Sequence, residues 1–259
     1  MRLFYKLIMI DFLRQWNFTK VSILLVLTVI AGFLSALPGI MGWVAEIPAL
    51  YMPLTDYLLQ IWKIIVPFSV LFFSSGIIAG DIKNHWIRSI LIHRITRQDL
   101  LLSKIIATLV SVIITMMLLG ALPVIVFATG IGVKLDFNIL NFVQVLMYFI
   151  FEAILFITIA TWLSCFLNGF MNIFVLAFWM FLDNILMKGV LSLWMSNSFA
   201  GSVIIDVFFP SGFSEAAIVA STSGIFPYES LLWGFASLSF FLGIAIFSFS
   251  KINIDKSSD

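Results

Sequence analysis

Long intervals without a charged residue divide this chain, and they constrain its fold more than any other feature. The stretches 21–45 and 105–133 contain no Asp, Glu, Lys or Arg. Because a helix needs about 20 apolar residues to cross the hydrocarbon core of a bilayer, each stretch is long enough to form one span. Only 10% of the 259 residues are charged and 62% are hydrophobic, which leaves too few charges to cover a water-exposed surface. The sequence therefore predicts an all-α integral membrane protein.

Six membrane spans fit these intervals. Asn168-Gly169, a turn signal, divides the apolar stretch that ends at 187 into two helices. The predicted spans cover residues 21–43, 57–80, 98–128, 139–164, 170–187 and 230–250. Most of the 14 Lys and Arg residues then lie at the N-terminus, in the second connection and in the tail, so both termini are predicted to be cytoplasmic. The whole chain, 1–259, forms a single transmembrane domain in this interpretation.

Two further segments are predicted to lie along the membrane rather than across it. Residues 1–19 place an apolar residue every four positions on one helical face, which indicates a helix in the inner interface; a simple extension of the first span is the alternative. The outer connection 190–227 is apolar but interrupted by Pro, Gly and Ser. It predicts short helices that dip into the outer leaflet against protein, with an ordinary extracellular cap as the alternative.

The connector 82–96, between the second and third spans, is the most informative segment. Apolar residues at helical spacing alternate with basic ones, which predicts an amphipathic helix on the cytoplasmic side. Thr96 and Asp99 follow as a capping-box pattern that marks the start of the third span. Two interpretations stay open: a docking helix for a cytoplasmic partner, or an interfacial helix held by anionic lipid.

Two acidic residues are predicted to lie inside the membrane, Glu152 in the fourth span and Asp183 in the fifth. A charge at that depth is costly and usually faces the bundle interior or water. Each acid is either a polar contact for substrate or protons, or a group that joins neighbouring helices by hydrogen bonds. Gly76 and Gly80 match a small-residue motif for close helix packing, within one subunit or between two.

No catalytic residue and no metal site are predicted. The sequence has no phosphate-binding loop of the form G-x-x-x-x-G-K-[ST], and its two histidines, His85 and His93, have no cysteine nearby. Cys165 is the single cysteine, which excludes an internal disulfide. A net charge of +1 gives no basic surface for nucleic acid. The chain is therefore not expected to be an enzyme or to carry a cofactor of its own.

The segment 81–104 resembles the ABC-2 type permeases. It has an acidic residue at the inner end of the second span, a basic amphipathic stretch, and then Arg97 and Lys104 on either side of a leucine run. The layout of most of the chain is similar to permeases of bacterial peptide-antibiotic export and immunity systems. It departs from many members at His93-Arg94, where they have a proline, and at Asn84-His85, where they have glycine and threonine.

This resemblance implies a permease in the plasma (inner) membrane of a bacterium that exports an amphiphilic substrate such as a peptide antibiotic or a lipid-like molecule. It implies two protein partners beside membrane lipid: a second permease subunit, and a cytoplasmic ATPase that binds the ATP and magnesium. The ATPase would contact the turn 164–170 and a coupling helix in the connector. The coupling residues would be Trp86, Ile87, Arg88, Ile90, Leu91 and Arg94. The residues alone leave two alternatives, an ion- or proton-coupled carrier that uses Glu152 and a non-transporting membrane subunit.

Overall fold

The structure, a computed structural model, describes residues 2–27, 29–30, 54–74, 76–84, 86–91, 95–121, 139–186 and 228–252. Every regular element in these residues is helical, and no β-strand occurs among them. The predicted all-α class is therefore confirmed for this part of the chain. The predicted outer helices at 190–227 and the second half of the first span lie outside the described residues.

The helices are numbered here in chain order. They are α1 (Arg2–Gln15), α2 (Phe18–Leu27), α3 (Leu54–Ser74), α4 (Ala79–Lys83), α5 (Trp86–Leu91), α6 (Arg97–Thr115), α7 (Ile139–Leu163), α8 (Gly169–Leu186) and α9 (Tyr228–Lys251). A π-helical turn, Met116–Ala121, continues α6.

Four helical stretches are long and apolar enough to cross a membrane. They are Ile61–Lys83, Arg97–Leu118, Phe142–Leu163 and Gly234–Lys251, and they lie at the second, third, fourth and sixth predicted spans. At the first and fifth predicted spans, the described residues include the shorter apolar helical segments Phe18–Leu27 and Gly169–Met180. These helices are compatible with a membrane protein.

Large apolar side chains cover the outer faces of the bundle. On α8, Phe170, Phe174 and Phe178 follow one another at intervals of four residues, and all three are exposed. On α9, Phe235 and Phe247 are exposed as well. Soluble monomers rarely expose contiguous apolar patches of this kind. The outer faces therefore suit lipid or another apolar surface better than water.

Helix α7 lies at the centre of the bundle and packs against α3, α6, α8 and α9. Its buried face combines bulky rings with small residues, for example Phe156 beside Ala153 and Ala160, so neighbouring helices can approach closely. Thr161 on the same helix is satisfied locally: its hydroxyl donates to the carbonyl of Ile157, one turn earlier, at 2.6 Å. This local bond lets a threonine lie in an apolar interior.

The π-helical turn at the end of α6 is held by Trp62 of α3, which is fully buried. Its indole N–H donates to the carbonyl of Met116 at 3.2 Å, and its ring meets Phe149 edge-on with centroids 5.8 Å apart. A π-helix interrupts the regular α-helical hydrogen bonding, and the indole supplies a partner for one carbonyl there. Trp62 thus ties α3, α6 and α7 together.

Helix α1 packs along α6 with an unusual division of its faces. Leu7 and Asp11 are buried against the bundle, whereas Tyr5, Met9 and Leu13 are exposed. Asp11 therefore points toward the bundle, and an apolar stripe points away from the protein. A helix with an apolar outer face fits the predicted position in a membrane interface.

The predicted second span is not one continuous helix. Helix α3 ends at Ser74, and α4 begins at Ala79 after a turn in which Gly76 has a φ of +69°. That left-handed conformation is accessible to glycine but disfavoured for residues with a Cβ atom. The interruption follows from the backbone of one residue and leaves the hydrophobic pattern unchanged, which is why the pattern predicts an unbroken helix.

The start of α6 agrees with its predicted signal. Thr96 is the N-cap residue, with its side chain accepting from the backbone N–H of Asp99 at 3.1 Å. The hydroxyl of Thr96 in turn donates to the Asp99 carboxylate at 2.6 Å. Side-chain acceptors at this position satisfy N–H groups that have no partner within the helix. The predicted capping pattern is therefore confirmed.

Candidate functional site

Four charged residues from three helices meet at one end of the bundle, and we name them the ion-pair cluster. They are Asp11 and Arg14 of α1, Asp81 of α4, and Lys104 of α6. Each has an oppositely charged neighbour: Arg14 Nη2 lies 2.8 Å from Asp81 Oδ1, and Lys104 Nζ lies 3.3 Å from Asp11 Oδ1. Lys104 also pairs with the second carboxylate oxygen of Asp81. Asp81 therefore receives two cations, and the cluster as a whole is electrically neutral.

Because these residues are buried, each charge in the cluster requires an oppositely charged partner. Asp11, Asp81 and Lys104 are all at least 95% buried, so bulk water compensates little for a lost partner. Removing charges from water is costly, and a buried ion is tolerated only when an opposite charge and hydrogen bonds compensate it. The hydroxyl of Ser103 adds one such bond, to Asp11 at 3.3 Å. The cluster thus fixes α1, α4 and α6 relative to one another.

Burial raises the pKa of Asp11, because desolvation disfavours its charged form. Lys104 opposes this shift through its charge and its hydrogen bond, while the nearby negative charge of Asp81 adds to it. Burial is the larger cause, so the charged form of Asp11 is disfavoured relative to a carboxylate in water.

Trp86 closes the cluster from the connector side. The guanidinium of Arg14 lies 4.3 Å from the centre of its ring, and the ammonium of Lys104 lies 5.0 Å from it. Cations at this distance from an indole face are attracted by its quadrupole. The first residue of α5 is therefore bound to the same two cations that bind Asp81 in α4. The whole α4–α5 connector is fastened to α1 and α6.

A chain of neutral hydrogen bonds extends the contact between α1 and α6. Gln15 donates to the hydroxyl of Thr108 at 2.8 Å and accepts from Ser111 at 3.0 Å. The indole of Trp16 donates to the Ser111 hydroxyl at 3.1 Å. These bonds continue the ion-pair cluster along α6, so the two helices are joined over more than two turns.

The predicted coupling residues differ in how deeply they are buried. Ile87 is fully buried in the core, and Trp86, Ile90 and Leu91 are half-buried and packed against it. The apolar stripe of α5 is therefore covered largely by the protein itself. Arg94 and the side chain of Arg88 lie outside the described residues, while Lys83 and Asn84 just before α5 are exposed.

The connector also touches the turn between α7 and α8. The buried hydroxyl of Ser164 accepts from the backbone N–H groups of Ile78 and Ala79, at 3.0 and 3.1 Å. A Cβ atom added to Gly76 would lie 3.7 Å from the Cα atom of Gly169. The turn at 164–168, which includes the predicted Asn168 signal, therefore supports the start of α4.

The predicted helix-packing glycines differ in their surroundings. Gly76 occupies the turn just described, whereas a Cβ atom added to Gly80 would meet no atom within 4 Å. Only the first of the two glycines therefore lies at a close backbone approach among the described residues.

Glu152 is 6% exposed and lies midway along α7, toward the interior of the bundle. Asp183 belongs to α8, but its side chain lies outside the described residues. Glu152 is not a member of the ion-pair cluster.

Arg97, one of the residues that carry the family resemblance, binds the end of another helix. One guanidinium nitrogen, Nη1, donates to the carbonyls of Phe249, Ser250 and Ile252, at 3.2, 3.1 and 2.9 Å. The last carbonyls of a helix have no partner within it, and a cation there also favours the helix dipole. Arg97 therefore ties the end of α9 to the start of α6.

The sequence pattern did not predict the ion-pair cluster, although each member was visible. Asp11 and Arg14 interrupt an apolar N-terminal helix, and Asp81 and Lys104 lie at the predicted inner ends of the second and third spans. Charges of both signs at one predicted depth are the signal that could have suggested pairing. Within the described residues there is no group of three or more His, Cys, Asp or Glu side chains able to hold a metal ion.

No protein-family model matches this chain, and a search of curated proteins finds no significant match.

Proposed function

We propose that this chain is the permease subunit of an ABC-2 type transporter, a six-span inner-membrane protein with cytoplasmic termini. In this proposal it exports an amphiphilic substrate, such as a peptide antibiotic or a lipid-like molecule, and a separate cytoplasmic subunit hydrolyses ATP. A second permease subunit completes the transporter. The observation that carries the proposal is the attachment of the α4–α5 connector to α1 and α6 through the ion-pair cluster and Trp86.

A connector of this kind suits the transmission of force. Asp81 and Trp86 both bind Arg14 and Lys104, so a displacement of the connector would move the ends of α1 and α6 with it. A loop that only links two spans needs no such attachment. The attachment of α4 and α5 to α1 and α6 therefore favours a connector that is displaced by a partner and transmits this movement to the spans.

The surface left for the ATPase lies on the outward side of α5. Because Ile87 is buried and Trp86 is engaged with two cations, these two residues support the connector from within. By helical periodicity, position 88 lies off the apolar stripe of α5, and the exposed Lys83 and Asn84 lie just before the helix. The ATPase would therefore contact the basic side of the connector.

Arg88→Glu should reduce recovery of the ATPase subunit. Arginines are prominent among residues whose loss costs about 2 kcal/mol or more at an interface, and a reversed charge adds repulsion there. The measurement is co-purification from the native host with tagged wild-type or variant chain at matched membrane expression, the partner being identified by its sequenced phosphate-binding loop. Recovery should fall at least about tenfold.

Lys6→Glu is the matched control, since Lys6 is exposed on α1 and outside the connector. It should leave recovery of the ATPase unchanged. Equal recovery with wild type and Arg88→Glu would remove the docking surface from the proposal. A purified chain free of other polypeptides that hydrolyses ATP would contradict the division of labour between subunits.

The burial of Glu152 in the middle of α7 favours one competing function, a proton-coupled carrier. Glu152→Gln separates the two, because glutamine keeps the size and hydrogen-bonding capacity but cannot ionise. If the permease proposal is right, expression and ATP-dependent export should stay close to wild type. Export that collapses while the variant still folds would instead identify Glu152 as a proton site.

A further inference from the structure

A cavity of about 130 Å³ lies beside the ion-pair cluster. Residues of α1, α2, α4 and α6 line it, together with the end of α3 and the Gly76 turn. The charged side chains in its lining are Asp11, Arg14, Lys20, Asp81 and Lys104. Three of these are cations and two are carboxylates, so the lining carries one positive charge in excess.

That excess resides at Lys20. The two carboxylates are already shared between Arg14 and Lys104. The ammonium of Lys20 instead donates to the backbone carbonyl of Phe72 at 2.9 Å. An ammonium has three N–H donors, and Phe72 provides the one acceptor for the ammonium of Lys20 among the described residues, so two donors are left for another acceptor at the cavity.

Arg14 offers further donors to the same space. Of its five N–H groups, one bonds to Asp81, and the ring of Trp86 covers one face of the guanidinium. Its side chain is 41% exposed, so it is reachable from outside the bundle. A planar fork of donors beside a lysine ammonium is the combination that recognises phosphate.

We propose that this cavity binds a phosphate group, with Lys20 and Arg14 as its ligands, and that the phosphate belongs to an anionic phospholipid. Exposed apolar side chains lie near the two ligands. Ile10 is one helical turn before Arg14 on α1, Phe18 is two residues before Lys20, and both are exposed. A lipid could therefore place its headgroup in the cavity and its acyl chains along these residues.

The membrane placement proposed above sets this cavity at the cytoplasmic leaflet, where anionic lipids give the surface its negative potential. The inference depends on that placement and not on transport, so it holds equally for a membrane subunit that transports nothing. A bound headgroup would neutralise the excess charge of Lys20 and lie against α1, α2 and the Gly76 turn, joining the first span to the connector.

The test compares wild type with Lys20→Gln and Lys6→Gln in neutral detergent. Native mass spectrometry or thermal unfolding measures binding of phosphatidylglycerol, with phosphatidylcholine and inorganic phosphate as separate titrants. Glutamine can still donate to the Phe72 carbonyl but carries no charge. Lys20→Gln should weaken phosphatidylglycerol binding about fivefold, the contribution of one basic residue beside anionic lipid. Lys6→Gln removes the same charge from an exposed position of α1 and should not weaken it.

The titrants distinguish the source of the phosphate. Preference for phosphatidylglycerol over phosphatidylcholine that depends on Lys20 supports the lipid headgroup. Stabilisation by inorganic phosphate that depends on Lys20, without any by phosphatidylglycerol, supports a phosphate site and overturns the lipid assignment. Equal lipid binding by wild type and Lys20→Gln, or an equal loss in Lys6→Gln, would overturn the proposal. Should Lys20→Gln not fold, Arg14→Lys keeps a cation opposite Asp81 but lacks the planar fork, and it should show the same loss.

Discussion

Asp81→Asn should lower the free energy of unfolding by about 3–5 kcal/mol, the usual cost of removing one partner from a buried ion pair. Asp81 accepts from both Arg14 and Lys104. Without the charge of Asp81, Asp11 is the one carboxylate left in the cluster for two cations. Most of the cost arises at Lys104, which is 3% exposed, because Arg14 can reach water. The measurement is the midpoint of thermal unfolding in detergent, together with the monodisperse fraction on gel filtration.

Asp11→Asn is the matched control, an isosteric loss of one carboxylate from the same cluster. It should destabilise the protein less, because Lys104 keeps its bond to Asp81 and burial already opposes the charge of Asp11. Asp81→Asn combined with Lys104→Met removes one charge of each sign and should recover much of the loss, as apolar replacements of buried ion pairs often do. Unfolding of Asp81→Asn at the wild-type temperature would show that the cluster does not hold the three helices together.

The large elements of this fold are predictable because they depend on local hydrophobicity. The uncharged stretches locate the helices at the second, third, fourth and sixth predicted spans, and the Thr96–Asp99 pattern marks the start of α6. In both cases the physical cause lies within a few residues of its effect. At the first and fifth predicted spans the apolar segments among the described residues are shorter, so the six-span count stays a prediction.

The candidate site was less predictable, because its contacts join distant parts of the chain. Arg14 and Asp81 are 67 residues apart, and no local pattern states which charges will meet. The periodicity of the connector correctly indicates an apolar stripe on α5, but it does not say what covers that stripe. The sequence leaves a partner and lipid open as covers of the stripe, and in the structure the core of the chain itself packs against Ile87 and Leu91.

Substitution of Gly76 should also lower the stability of the protein, because the break between α3 and α4 depends on the φ of +69° at this residue. A residue with a Cβ atom pays roughly 1–2 kcal/mol in this left-handed region, and a β-branched residue is a strong outlier there. The added Cβ would also lie 3.7 Å from the Cα atom of Gly169, which leaves little room for the two further methyl groups of valine. Both the turn that starts α4 and its contact with the α7–α8 turn depend on this position.

We therefore expect Gly76→Ala to lower the free energy of unfolding by roughly 1–2 kcal/mol and Gly76→Val to lower it further. Gly80→Ala is the matched control: its new Cβ atom meets nothing within 4 Å, and alanine is favoured over glycine inside a helix by about 1 kcal/mol. Gly80→Ala should thus unfold at or slightly above the wild-type temperature. A helix-packing motif formed by both glycines predicts the opposite, a similar loss at either position. If Gly80→Ala proves as damaging as Gly76→Ala, close packing explains the pair and the Gly76 turn does not.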